Sequence, residues 1–247
     1  MRFMLMHKTN ASNEAGLRPP EELITGVGRM IREMQETGIF RDGAGLRASS
    51  LGARLEVHGG ARTVTPGPFT GKNKLPAALC VLRVRSLEEA VHWASRFAAI
   101  VEDAELDIRP LTEPWDLGLA EKPKDDPTTR YMAVYKADAR YEAGALPSAE
   151  VRAATARLIA EMKQAGVFVA ADALQPSARS KRIRISGGKQ VVTDGPFVES
   201  KELIAGFVTL ELPSIAEAVD LGRRYAPILG EEVELDVRPL FEPAELR

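Results

Sequence analysis

The chain has 247 residues, 45% hydrophobic and 28% charged, which is the profile of a folded globular protein with room for two domains. A net charge of −2 argues against nucleic acid as a main partner, because phosphate binding needs a concentrated basic surface. The local basic run of Arg179, Lys181, Arg182 and Arg184 reads as the solvated face of a strand.

Residues 4–7 form a short apolar run suited to a buried strand. No signal peptide fits residues 1–8 and no apolar stretch approaches a membrane span, so a cytoplasmic protein with no membrane partner is expected. A polar loop then runs to Pro19, which suits the first turn of a helix. Leu23, Val27, Met30, Ile31 and Met34 make one face of that helix, and Gly38 stops it. Ile39 and Phe40 open a second strand. Residues 54–57 and 62–64, joined through Gly59-Gly60, read as a hairpin, since Gly-Gly supports the positive φ angles of such turns. Residues 79–84 form the next strand, where Cys80 reads as a buried reduced thiol and not a nucleophile. Ser86-Leu87-Glu88-Glu89 is a capping box that opens a second helix. The last strand, residues 106–109, stops at Pro110. Proline cannot donate to a ladder, so this strand is expected at a sheet edge or ending there.

The same order then returns. Residues 2–92 overlay residues 130–220 at a constant offset of 128 without a gap. After one inserted residue, Glu105-Leu106-Asp107-Ile108-Arg109-Pro110-Leu111 matches Glu234-Leu235-Asp236-Val237-Arg238-Pro239-Leu240. The helix face recurs as Val151, Thr155, Leu158, Ile159 and Met162, the glycine pair as Gly187-Gly188, and the capping box as Ser214-Ile215-Ala216-Glu217. The predicted division is a domain over 1–112, a proline-containing linker over 113–129, and a second domain over 130–247. Each copy has the order β-α-β, hairpin, β-α-β, the plan of a ferredoxin-like α+β sandwich with an inserted hairpin.

The stretch Thr193-Asp194-Gly195-Pro196-Phe197-Val198-Glu199-Ser200-Lys201-Glu202 resembles the signature of the YCII-related family, in the branch named for its Asp-Gly-Pro-Phe motif. Arg130-Tyr131-Met132 and Val237-Arg238-Pro239 are also similar to that family. The resemblance covers nearly all of the second copy and, more weakly, the first. It implies ferredoxin-like units whose sheets pair face to face as a dimeric α/β barrel. The pairing could be closed within one chain as a pseudo-symmetric unit or made between two chains of a homodimer. It also implies a small-molecule ligand, with acid–base chemistry of isomerase or lyase type on a histidine–aspartate pair. The alternative it implies is a non-catalytic regulatory or interaction module associated with sigma-factor control of transcription.

Asp194 is the leading catalytic candidate: a carboxylate after a hairpin can accept a proton or orient a histidine, although Asp-Gly-Pro is also plain turn chemistry. Its counterpart in the first copy is Pro66, which can do neither job in the same way. His7, at the end of the first strand, is the second candidate, and Tyr135 stands in its place in the second copy. A composite site of His7 with Asp194 is one arrangement, and a purely structural His7 is the other. Phe197, Glu199 and Lys201 are candidate ligand-binding residues, Lys201 because its ammonium can neutralise an anion. Against Glu199, Lys201 and Glu202 the first copy has Gly71, Asn73 and Lys74, which fits either surface drift or decay of a site. His58 and His92 lack metal-type spacing, and there is no phosphate loop or serine elbow, so no metal or cofactor is expected. Asp107 with Arg109, and Asp236 with Arg238, read as surface ion pairs along a strand.

Overall fold

The computed structural model describes residues 1–69, 73–197 and 203–246. In the first copy the elements are β1 (Arg2–Lys8), α1 (Ala11–Glu14), α2 (Glu21–Glu36), β2 (Phe40–Gly45), β3 (Ala53–His58), β4 (Ala61–Pro66), β5 (Pro76–Val84), α3 (Leu87–Val101) and β6 (Ala104–Pro110). The second copy repeats them as β7 (Thr129–Lys136), α4 (Ala139–Glu142), α5 (Ala149–Gln164), β8 (Phe168–Ala173), β9 (Lys181–Ser186), β10 (Lys189–Asp194), β11 (Ile204–Glu211), α6 (Ile215–Leu229) and β12 (Val233–Pro239). The one-turn helices α1 and α4 lie in what the sequence suggests is polar loop. Each is started by a side chain, Asn10 or Asp138, that accepts from a backbone N–H three residues on.

Local chemistry accounts for the boundaries. Ser86 accepts from Glu89 N at 3.2 Å to begin α3, and Ser214 accepts from Glu217 N at 3.3 Å to begin α6. Both glycines of each hairpin tip have positive φ, 56° and 81° at Gly59-Gly60 and 54° and 73° at Gly187-Gly188. Two-residue turns of that hand match the twist of the flanking strands.

The strands assemble into two six-stranded antiparallel sheets, β10-β9-β12-β1-β11-β2 and β4-β3-β6-β7-β5-β8. Each sheet draws on both copies. In the first, β1 lies between β11 and β12, with Leu5 opposite Val208 on one side and Val237 on the other. In the second, β7 lies between β5 and β6, with Ala133 opposite Cys80 and Ile108. The repeat therefore exchanges its opening β-α-β unit between sheets. Its helices follow: α2 packs beside α6 on the first sheet, and α3 beside α5 on the second.

This placement corrects the expectation of an edge position for β6 and β12. Each is paired on both sides, and only its end coincides with proline. Proline lacks a donor but keeps its carbonyl, and Pro110 O and Pro239 O accept from Arg47 N and Gln175 N at 3.0 and 2.8 Å.

Among the described residues the three largest apolar clusters follow from this arrangement. Phe3, Leu5, Met30, Met34, Tyr225 and Val237 fill the space between the first sheet and its helices. Leu55, Leu82, Leu106, Leu158 and Met162 do the same for the second. Between the sheets lie Met4, Met6, Leu79, Val81, Met132, Val134 and Phe207, so the inner faces meet within the one chain. Each fully buried side chain of this size contributes about 1.5–3 kcal/mol. The segment 113–129 is tied to the fold at both ends of its reach. Buried Glu113 binds Arg130 N, Nε and Nη2 at 3.1, 3.0 and 2.9 Å, and Pro114–Leu117 forms a 3-10 turn.

Candidate functional site

Period-2 alternation sends Phe3, Leu5 and His7 of β1 toward the helices and Met4, Met6 and Lys8 toward the other sheet. Lys8 is thereby buried, and its Nζ lies 2.7 Å from Asp236 Oδ2. Arg182 closes the cluster from β9, with Nε 2.6 Å from Oδ1 and Nη2 3.1 Å from Oδ2 of the same carboxylate. Burial pushes Asp236 up, but the Lys8 and Arg182 charges outweigh it and hold the carboxyl below the usual range.

The other sheet repeats the arrangement with the copies reversed. Lys136 Nζ is 2.5 Å from Asp107 Oδ2, and Arg54 reaches Asp107 through Nε at 2.7 Å and Nη2 at 3.0 Å. Burial pulls the Lys136 ammonium below its ordinary pKa, against the opposing pull of Asp107. In each cluster the lysine comes from one copy and the Arg–Asp pair from the other.

A second chain of contacts runs through the turn motif. In the second copy Glu142 Oε2 accepts from Ser177 N at 3.0 Å and Oγ at 2.5 Å, and Ser177 Oγ accepts from Phe197 N at 3.0 Å. The Phe197 ring lies under the Arg182 guanidinium, 4.1 Å from its carbon. Glu14, Ser49, Phe69 and Arg54 repeat this, with Phe69 N to Ser49 Oγ at 3.2 Å and Arg54 at 4.9 Å from the ring. Glycine is required between them. A Cβ on Gly195 would stand 1.8 Å from Ser177 O, and one on Gly67 1.9 Å from Ser49 O. The Gly-Pro-Phe portion of the motif thus docks the hairpin on a neighbouring 3-10 turn.

Asp107, Arg109, Asp236 and Arg238 are all buried, which corrects their assignment to the surface. Arg109 Nη1 donates to Ile204 O at 2.7 Å and Arg238 Nη2 to Gln175 O at 2.6 Å. Of the basic run, Arg184 is exposed as expected, whereas Arg182 is largely buried against Asp236. The sequence signal for these residues was their retention at matching positions in both copies. That signal is easily assigned to a surface pattern, because ion pairs alternating along a strand look alike on either face.

Asp194 does not join this system. Its side chain is 76% exposed at the outermost strand and pairs with Lys181 Nζ at 2.7 Å. His7 lies three strands away and two residues further along, placing the backbones roughly 16 Å apart. The structure does not bring the two together. Tyr135 belongs to the other sheet, its ring edge-on to Phe97 at 5.3 Å. Phe197 is half-buried in the docking turn, and Glu199 and Lys201 lie outside the described residues.

His7 has its own setting. Its ring lies against Gly206, where a Cβ would meet Cε1 at 2.4 Å. Nδ1 is buried and has no hydrogen-bond partner among the described residues. Burial, with the Lys8 charge beside it, lowers the imidazole pKa to about 4, so it is neutral at pH 7. His7 and Lys8 line a groove of about 850 Å³ together with Glu14, Arg182, Arg184 and Glu234. Among the described residues no three His, Cys, Asp or Glu side chains converge as metal ligands. No helix among them is long and apolar enough to cross a membrane.

The fold and the duplicated clusters define a tandem ferredoxin-like α+β protein with two face-to-face sheets. Residues 129–234 match the family model described as the YCII-related domain, so the C-terminal half contains a YCII-related domain. A protein of Rhizobium meliloti (strain 1021), described as uncharacterized, is 36% identical over 75 residues, which is 30% of this chain. The match spans 60% of that relative's length.

Proposed function

We propose that this YCII-related protein binds a small polar molecule in the groove lined by His7, Lys8, Glu14 and Arg182. The observation that carries this reading is His7, a neutral imidazole at the groove wall whose buried Nδ1 lacks a partner. A buried ring nitrogen left unpaired costs about 1–3 kcal/mol, which a polar group of a bound ligand can recover. The groove volume of about 850 Å³ suits a metabolite-sized ligand. Lys8 and Arg182 are paired with the two carboxylates Asp236 and Glu234, so the walls are polar without a strong net charge. A histidine–aspartate acid–base pair does not support this site, because Asp194 stands in another part of the sheet. Binding is therefore favoured over isomerase or lyase chemistry.

A thermal-shift screen of wild type against small polar metabolites tests the reading, with His7→Phe as the matched variant. A ligand that raises the unfolding temperature of wild type and not of His7→Phe supports it. An equal shift in both proteins would place the site elsewhere. No shift with any compound would turn the reading to a regulatory interaction module.

A further inference from the structure

A second, chemically different cavity lies between β5, β7 and the helices α3 and α5, with a volume of about 230 Å³. Its walls are Trp93, Phe97, Tyr135, Leu158, Ile159 and Met162, and Cys80 and Ala133 form part of its floor. The described lining carries one charged group, Asp172, which is paired with Arg2. Burial raises the Cys80 thiol to about 12, so its sulfur is a neutral, polarisable contact.

The duplication supplies an internal comparison. The positions matching Ala133 and Cys80 in the other half are Leu5 and Val208, both buried in the core between the first sheet and its helices. The larger side chains occupy that floor, whereas the smaller pair leaves it open. We infer that the cavity under α3 and α5 binds an uncharged aromatic molecule of one or two fused rings. Apolar cavities of about 150 Å³ stay dry and take up benzene, so this volume suffices. Trp93, Phe97 and Tyr135 offer ring edges and faces, and Met162 and Cys80 offer sulfur, the contacts that favour a ring over an alkane of equal size. The site is separate from the polar groove, which lies on the other sheet.

Toluene is the probe and thermal unfolding of the full chain the measurement. Saturating toluene raises the midpoint of wild type by roughly 2–4 °C. The same addition leaves Ala133→Leu and Cys80→Val, which carry the other half's residues, unshifted. In methionine-methyl NMR spectra toluene moves the Met162 resonance and not that of Met34, its counterpart in the other half, a readout that needs no variant. A toluene response undiminished in Ala133→Leu, or movement of Met34 with Met162 still, overturns the proposal. An equal response to cyclohexane overturns the aromatic assignment. Failure here leaves the metabolite screen on the groove unaffected, since His7 does not line this cavity.

Discussion

Lys8 Nζ and Asp236 Oδ2 lie 2.7 Å apart, both buried, although 228 positions separate them in the chain. The pair exists because β1 of the first copy is threaded between β11 and β12 of the second. A buried charge pair adds little net stability over an apolar pair of similar volume, but breaking it is costly, since the partner left behind remains buried.

Asp236→Asn keeps the shape and removes the charge, leaving Lys8 facing Arg182. The expected loss is about 3–5 kcal/mol, read from urea unfolding at pH 7. The folded carboxyl titrates below its unfolded value of about 3.9, so its contribution is present above that pH and lost as pH falls through the folded value. The variant should accordingly show a flatter acid limb than wild type. A loss under about 1 kcal/mol would mean that the cluster is solvated.

His7 produces a different pH window. Its folded pKa of about 4 lies below the unfolded value of about 6.5, so between these values the unfolded chain binds more protons. Stability from the neutral imidazole is complete above about 6.5 and declines toward pH 4, by about 3 kcal/mol in total. His7→Gln should remove this slope and leave the more acidic limb of the aspartates in place. Unfolding midpoints compared at pH 7 and pH 5 would decide, and identical pH dependence in the two proteins would count against a buried imidazole.

Gly195→Ala forces a Cβ to within 1.8 Å of Ser177 O, which the backbone must move to avoid. A destabilisation of about 3 kcal/mol is expected, with a comparable one for Gly67→Ala. A Tm unchanged by either substitution would contradict the docking of the motif on the 3-10 turns.

Asp194→Ala should change stability by no more than about 0.5 kcal/mol, because the Lys181–Asp194 pair is exposed. It should also leave any ligand response of the groove intact. A lost response in Asp194→Ala with unchanged Tm would restore this carboxylate as a site residue.

The motif illustrates how far the sequence could be read. Asp-Gly-Pro-Phe stands out in the chain, and its glycine and phenylalanine do fix the local structure. Its aspartate, the residue most easily given a chemical role, faces solvent. Conversely, Asp107 and Asp236 looked like ordinary surface charges, because alternation along a strand does not say which face is buried when both faces are covered. His7 was legible as a strand-end histidine with Lys8 beside it, but its low pKa follows mainly from burial against Gly206, which no spacing rule reveals.

By itself the sequence determined the duplication, the helix faces, the serine caps and the glycine hairpin tips. These are set by residues within a few positions of one another, where steric preference and capping chemistry act. Only the tertiary structure decided that each copy gives its opening β-α-β unit to the other's sheet. The two copies present nearly the same strand patterns, so local pairing preferences fit either partner equally well. The choice appears only when the whole chain closes and brings Lys8 to Asp236 and Lys136 to Asp107.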